Sequence, residues 1–195
     1  MKAWGLGAVV LMLVQAPDAF AHVGQDEAVG LLSGCLHPVS GLDHVLAMLA
    51  VGLWGVQLGA PAVWVLPIAF PLVMTLGAML GFLGVPSPAT EYGIPISGLL
   101  LGAAVAVEAR PPLAVAGVLV GLFAIFHGYA HGTELPPGEN ALLYSMGFVI
   151  ATGCLHATGI GIGTVHRWEW GRRLLRVAGS AIAAGGAGLL WRAVA

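Results

Sequence analysis

Long apolar stretches with almost no charged residues dominate this chain and restrict the folds open to it. Only 8% of its 195 residues are charged, whereas soluble domains average about 25%, and the mean hydropathy is +0.94. A helix needs about 20 apolar residues to cross a bilayer core of about 30 Å. We therefore predict an all-α, polytopic transmembrane bundle with six membrane-spanning helices, at residues 42–59, 62–84, 92–108, 112–129, 140–163 and 174–194.

The start of the chain has the three parts of a secretory signal peptide. Lys2 is the positively charged start, residues 6–14 form the apolar core, and residues 19–21 match an A-x-A cleavage site. An uncleaved first helix is the alternative, although the apolar run is short for a span. Cleavage after residue 21 would leave residues 22–195 as a single six-helix domain. Its N-terminal residue would be His22, on the periplasmic face of a bacterial inner membrane.

A shorter apolar segment, residues 28–36, lies between this signal and the first predicted span. It follows Asp26 and Glu27 and is too short to cross a membrane. We predict that residues 23–36 form an interfacial or partly re-entrant helix. Pro38 and Gly41 are expected to break it, because proline lacks a backbone donor and glycine is conformationally free.

The positions of the charged residues predict the orientation of the bundle. The outer segments are acidic and contain no Lys or Arg before Arg192. Five of the seven basic residues lie in or beside the predicted inner loops: Arg110, Arg167, Arg172, Arg173 and Arg176. This positive-inside distribution agrees with a periplasmic N-terminus. Outer loops without basic residues also favour the approach of a cation.

Several function classes find no support in the sequence. A net charge of −2 gives no indication of nucleic-acid binding. Cys35 and Cys154 lack the spacing of a disulfide framework or a thiolate metal site. No Gly-rich phosphate loop with its Lys-Ser/Thr occurs, so nothing indicates coupling to ATP.

Glycines recur four residues apart within the predicted spans. Small residues at this spacing let two helix backbones approach closely in a membrane. We therefore interpret four glycine pairs as helix-packing sites: Gly77/Gly81, Gly98/Gly102, Gly117/Gly121 and Gly159/Gly163.

Two polar clusters interrupt the apolar sequence. The first runs from His37 to His44, at the outer end of the first predicted span. The second contains His127, His131 and Glu134, at the outer end of the fourth. On a helix, residues four apart share a face, and Glu134 stays near that face. Although the clusters are far apart in sequence, the predicted topology brings them together at one depth.

The side chains of these clusters indicate metal binding. Imidazoles with carboxylates, and without thiolates, suit first-row divalent ions such as Ni²⁺, Co²⁺ and Zn²⁺, whereas Mg²⁺ and Ca²⁺ prefer oxygen ligands. A carboxylate close to a bilayer is costly unless a cation compensates its charge. We therefore predict a metal site with six candidate residues: His37, Asp43, His44, His127, His131 and Glu134.

The sequence leaves the roles of Asp43, His44 and His156 open. Neighbouring residues on a helix point about 100° apart, so Asp43 and His44 cannot both point straight at one ion. Either one binds the ion and the other supports it, or the break at Gly41 turns the backbone. His156, deep in the fifth span, is either a structural residue or a relay or ligand. His166, in an inner loop, is expected to be solvated.

The spacing within the clusters is also characteristic. The first contains His37-Pro-x-x-Gly41-x-Asp43-His44, followed by Met48 and Gly52-x-Trp54. The second is Phe126-His127-Gly-x-Ala-His131-Gly-x-Glu134. Together these motifs resemble the two signatures of the HupE/UreJ family of nickel/cobalt permeases, and the resemblance covers essentially the whole chain.

The resemblance implies an accessory membrane protein for hydrogenase or urease that admits Ni²⁺, or sometimes Co²⁺, as a transported ion. It implies no organic cofactor, and its partners are the metal ion and the lipid bilayer rather than nucleic acid. By the same resemblance, the six candidates carry over as metal residues. A capture role for His22 is a hypothesis from the cleavage position alone.

Two further functions use the same residues. One is a zinc-dependent intramembrane hydrolase, in which histidines and a carboxylate surround a metal-bound water. The sequence contains no HExxH motif in favour of this enzyme. The other is a membrane protein that binds the ion without moving it. The expected function is a secondary or passive permease that carries the ion from periplasm to cytoplasm.

Overall fold

The computed structural model describes residues 25–87, 89–135, 138 and 140–195. The predicted signal peptide and His22 lie outside the described residues. Within them the protein is all-α, with no strand and one short 3-10 helix, Thr164–Arg167. The described α-helices are α1 Gln25–Ser40, α2 Leu42–Leu58, α3 Ala62–Phe82, α4 Thr90–Ala106, α5 Leu113–Thr133, α6 Ala141–Gly163 and α7 Glu169–Val194.

The lengths of these helices match a bilayer. Four of them are long and apolar enough to cross it, namely α3, α5, α6 with the following 3-10 turn, and α7. Helices α1 and α2 pass the same test only as a pair, bent by 81° at Gly41. Helix α4 is apolar but has 17 residues. The prediction of an all-α, multi-pass membrane protein is confirmed.

Helix α2 lies at the centre of the bundle. Its residues Met48, Val51 and Trp54 are almost completely buried, and it packs against α3, α4 and α6. Around it, α3 pairs with α5, α4 with α7, and α1 with α6. Large apolar side chains such as Leu72 and Val118 point outward, 65% and 73% exposed. An apolar exterior of this kind is suited to contact with lipid.

Close glycine contacts hold the helix pairs together, but one predicted glycine pair is wrong. A Cβ added to Gly77 would overlap the backbone of α5, and one added to Gly102 would overlap α7. Gly117, in contrast, has no described atom within 4 Å of an added Cβ. On α5 the contact with α3 is made instead by Gly128 and Gly132, because these lie on the inward face of the helix.

The end of α1 also differs from the prediction. The helix continues through Pro38 to Ser40, and the break is at Gly41 alone. Proline removes a backbone donor, which is tolerable in a last turn where few helical bonds remain to be made. The hydroxyl of Ser40 donates to the carbonyl of His37 at 2.6 Å and satisfies one group of this turn.

Candidate metal centre

The two polar motifs line one cavity at the same end of the bundle. The cavity has a volume of about 210 Å³. It is lined by Ser40, Gly41, Ile94, Ala130 and all six predicted residues, His37, Asp43, His44, His127, His131 and Glu134. The predicted meeting of the two motifs is therefore found in the structure.

The bend at Gly41 brings both histidines of the first motif to this cavity. Gly41 has an extended backbone (φ −92°, ψ 112°) and precedes the first turn of α2. Asp43 lies in that first turn, where a negative charge is favoured by the helix dipole. Its carboxylate accepts a hydrogen bond from the backbone N–H of His44 at 2.8 Å. As a result His37 lies in the last turn of α1, while His44 lies in the first turn of α2 and is buried.

Helix α5 presents the second motif. His127 and His131 are one turn apart and both point into the cavity. On the adjacent face of the same helix, Gly128 and Gly132 contact the backbone of α3 at Met74 and Ala78. The close α3–α5 contact thus fixes the rotation of α5 that turns the two imidazoles inward.

Three imidazoles converge in the buried part of the cavity. Nδ1 of His44 lies 3.2 Å from Nδ1 of His127 and 3.2 Å from Nε2 of His131. One nitrogen from each residue lies within 4.8 Å of the other two. His44 and His127 are 2% and 0% exposed. We call these three residues the inner triad.

The two 3.2 Å spacings from His44 are close to those of ligands around one ion. Metal–nitrogen bonds of about 2.0–2.1 Å, the length found for zinc, separate the ligand nitrogens of a tetrahedral ion by about 3.3–3.4 Å. An imidazole nitrogen carries either one proton or one lone pair, so Nδ1 of His44 cannot make a good hydrogen bond to both neighbours. A cation between the three nitrogens would satisfy all of them at once.

Hydroxyl groups fix the orientation of two of these rings. The hydroxyl of Ser97 donates to the carbonyl of Ile94 at 2.6 Å, so it accepts from Nε2 of His127 at 2.9 Å. This contact assigns the proton to Nε2 and leaves the lone pair on Nδ1, which faces His44. Thr152 lies 3.3 Å from Nε2 of His44 and orients that ring similarly. Partners of this kind commonly orient metal-binding histidines.

A second, more exposed group lies at the mouth of the cavity. Nε2 of His37 lies 2.9 Å from Oε2 of Glu134, and Nδ1 of His131 lies 3.4 Å from the same oxygen. Hydrogen bonds from His131 and His37 lower the pKa of Glu134 to about 2, so its carboxylate is charged at neutral pH. We call His37, His131 and Glu134 the outer group. His131 belongs to both groups, with one ring nitrogen facing each.

Aromatic rings surround the histidines. The ring of Phe148 lies 4.2 Å from that of His131 and 5.2 Å from that of His44, and Phe70 lies 5.7 Å from His127, all between centroids. These apolar walls limit water around the inner triad. Electrostatic attraction between an ion and its ligands is stronger in such surroundings.

Asp43 and His44 are neighbours in sequence but have different positions in the site. His44 belongs to the inner triad, whereas Asp43 lines the cavity and holds the start of α2 through the backbone bond described above.

His166 is less solvated than predicted, because its Nε2 lies 3.4 Å from the carboxylate of Glu108 at the opposite end of the bundle. His156 lies outside the cavity and is 1% exposed.

The motif resemblance can be compared with whole-chain similarity. A model of the HupE/UreJ protein family matches residues 9–189. The chain belongs to the HupE/UreJ family. The protein described as "Protein HupE" from Rhizobium leguminosarum bv. viciae is 48% identical over 190 residues, which cover 97% of this chain and 99% of that relative. No solved structure matched this member of the HupE/UreJ family.

Sequence reasoning missed the residues that support the inner triad. Ser97, Thr152, Phe70 and Phe148 come from helices α4, α6 and α3, outside both motifs. The available signal was polarity, since Ser97 and Thr152 are hydroxyl residues inside apolar helices. It was weak, because helical hydroxyls commonly bond their own backbone.

Proposed function

We propose that this HupE/UreJ family member is a permease that moves Ni²⁺ or Co²⁺ from periplasm to cytoplasm. The observation that supports it is the inner triad of His44, His127 and His131, three imidazole nitrogens at metal-ligand spacing in a buried pocket. Imidazole is a ligand suited to both ions. By family resemblance, the ion serves the maturation of a nickel enzyme, hydrogenase or urease.

The ion would pass through two successive groups. The charged carboxylate of Glu134, with His37 beside it, attracts the hydrated ion at the cavity mouth, and Asp43 adds a second carboxylate to the wall. His22 would assist capture as the new N-terminal residue. His131 then passes the ion inward, since its ring has one nitrogen toward Glu134 and one toward His44.

The membrane potential suffices as a driving force in this proposal. A potential of 100 mV is worth about 2.3 kcal/mol per elementary charge, and therefore about twice that for a divalent ion. Binding must be strong enough to select the ion and weak enough to release it. The permease is accordingly secondary or passive rather than an enzyme.

The proposed topology has six crossings, α2 to α7, in a domain of residues 22–195 left by signal cleavage. The protein would lie in the bacterial inner membrane with its mature N-terminus in the periplasm. Helix α1 would be re-entrant, which accords with its 81° bend to α2. The basic residues of the Arg167–Arg173 region then face the cytoplasm, as the positive-inside rule expects.

Flux measured in vesicles tests the permease. Proteoliposomes containing the full chain should accumulate radioactive Ni²⁺ under an inside-negative potential, and His44→Ala should abolish the uptake. His166→Ala is the matched control, because this histidine lies at the opposite end of the bundle. Tight binding with no flux in the wild type would favour a metal-binding protein that does not transport. Unchanged flux in His44→Ala would contradict the site.

A further inference from the structure

We propose that His156 forms an inner metal station, one helix turn deeper than the inner triad, to which the ion moves on its way to the cytoplasm. The inference rests on the proposed permease function and extends its pathway. His156 is on α6, is 1% exposed, and lies outside the cavity that holds the six motif residues.

The face of α6 connects His156 to the inner triad. Phe148, Thr152 and His156 are spaced four residues apart, so they form one stripe along the helix, and all three are buried. Thr152 lies 3.3 Å from Nε2 of His44. One further turn places His156 about 6 Å deeper along the helix axis.

The ring of Phe70 links the two sites from the other side. Its centroid lies 5.7 Å from that of His127 and 5.5 Å from that of His156. Phe70 itself is fully buried on α3. An ion that leaves the inner triad toward the cytoplasm would pass this ring and then meet His156.

His156 has unused binding capacity. Neither ring nitrogen meets strict hydrogen-bond geometry with a described residue, and the contact of the ring with the backbone of Pro67 occupies one nitrogen at most, which leaves the other free. A buried polar group without a partner is costly and is retained in native proteins for a reason. A metal ligand is such a reason, because it needs a nitrogen with a free lone pair.

The backbone carbonyl of Pro67 is a second candidate ligand beside His156. The ring of His156 interacts with the backbone of Pro67 on α3. Helix α3 contains Pro71 four residues later, and proline has no N–H to donate to that carbonyl. The carbonyl of Pro67 therefore lacks its usual helical donor. In membrane helices, carbonyls freed in this way can coordinate cations.

The few ligands at His156 favour release of the ion toward the cytoplasm. One imidazole and one carbonyl oxygen bind Ni²⁺ or Co²⁺ more weakly than the three imidazoles of the inner triad. A path along which affinity falls toward the cytoplasm lets the ion enter and then leave. If His156 were a structural residue only, a polar side chain of similar size would replace it without loss of metal binding.

The number of bound ions distinguishes a metal-binding role of His156 from a structural one. The full-length protein in detergent is titrated with Co²⁺ and followed by the visible absorption of the bound ion. Because the inner triad and the outer group share His131, they are expected to hold one ion between them. The wild type should therefore take up a tight first equivalent there and a weaker second one at His156, and His156→Asn should lose only the second. Cys154→Ser, an exposed position on the same helix, is the matched control. His156→Cys, which restores a metal ligand, should recover the second equivalent.

Flux completes the test. In proteoliposomes, uptake of Ni²⁺ by His156→Asn should fall by at least about 10-fold, since the loss of even a residue that supports a metal ligand costs about 10–100-fold, while its first equivalent binds as in the wild type. The inference is overturned if His156→Asn keeps both equivalents or transports like the wild type. If the wild type shows no flux, the permease proposal fails, and the number of equivalents still decides whether His156 binds metal.

Discussion

At the residue scale, the hydroxyl of Ser97 determines which nitrogen of His127 is available. It accepts the Nε2 proton at 2.9 Å and so directs the Nδ1 lone pair toward His44. Such orienting contacts restrict both the tautomer and the ring rotation of a metal-binding histidine. A side chain outside both motifs would thereby influence the metal affinity of the proposed site.

Removal of this hydroxyl should weaken metal binding. We expect Ser97→Ala to lower the affinity for Ni²⁺ about 10–100-fold, because His127 loses the partner that holds its tautomer. Isothermal titration calorimetry on the purified protein measures this. Ser180→Ala is the control, since that serine is exposed on α7 and bonds only its own helix. Equal affinities in both variants would contradict the assigned orientation.

The motif residues were predictable from sequence, but the position and contacts of each residue within the site were not. Spacing placed His127 and His131 on one face, and topology placed them near His44. The separation of Asp43 from His44 depends on the backbone at Gly41, which no local pattern specifies. Ser97 and Thr152 were missed because their role arises only from contacts between distant helices.

At the element scale, the contact between α3 and α5 positions the site. A Cβ added to Gly128 would overlap the backbone at Met74, and one added to Gly132 would overlap it at Ala78. The two helices could not approach this closely with larger residues. The face of α5 that carries His127 and His131 is therefore coupled to the packing of the neighbouring face of the same helix.

Enlarging this contact should damage both stability and binding. We expect Gly128→Ala to cost about 1–3 kcal/mol, the usual range for overpacking, and to lower the melting temperature of the purified protein, followed by tryptophan fluorescence. Gly117→Ala, on the same helix but with no described atom nearby, is the matched control. A melting temperature unchanged by Gly128→Ala would contradict the close contact.

The existence of helix α1 was predictable from sequence, whereas its end and its packing partner were not. Its short apolar run indicated a helix that does not span alone, and the structure has a helix there. Its extension through Pro38 and its pairing with α6 were not predictable. The pairing depends on Gly34 and Gly147, whose small size permits close approach to residues more than a hundred positions away.

At the scale of the whole molecule, the proposed orientation can be tested with reporter fusions. Alkaline phosphatase fused after Gly138 or after Ala195 should be active, because both positions would be periplasmic. Green fluorescent protein fused after Arg167 should fluoresce, because that turn would be cytoplasmic. The reverse pattern would contradict the six-crossing topology and the direction of import.

Metal binding should also stabilise the whole fold. A ligand present at 100 times its dissociation constant adds about 2.7 kcal/mol to the stability of the state that binds it. We therefore expect Ni²⁺ to raise the melting temperature, and a chelator to reverse the shift. His131→Ala should abolish it, because this residue belongs to both candidate metal-binding groups. A shift that persists in the variant would place the ion elsewhere.

The most direct measurement is anomalous diffraction from crystals of the full chain grown with Co²⁺. We expect a peak about 2.0–2.1 Å from three nitrogens: Nδ1 of His44, Nδ1 of His127 and Nε2 of His131. A Co²⁺ peak bound only by other residues, with no density between these three imidazoles, would contradict the inner triad as the ion's binding site.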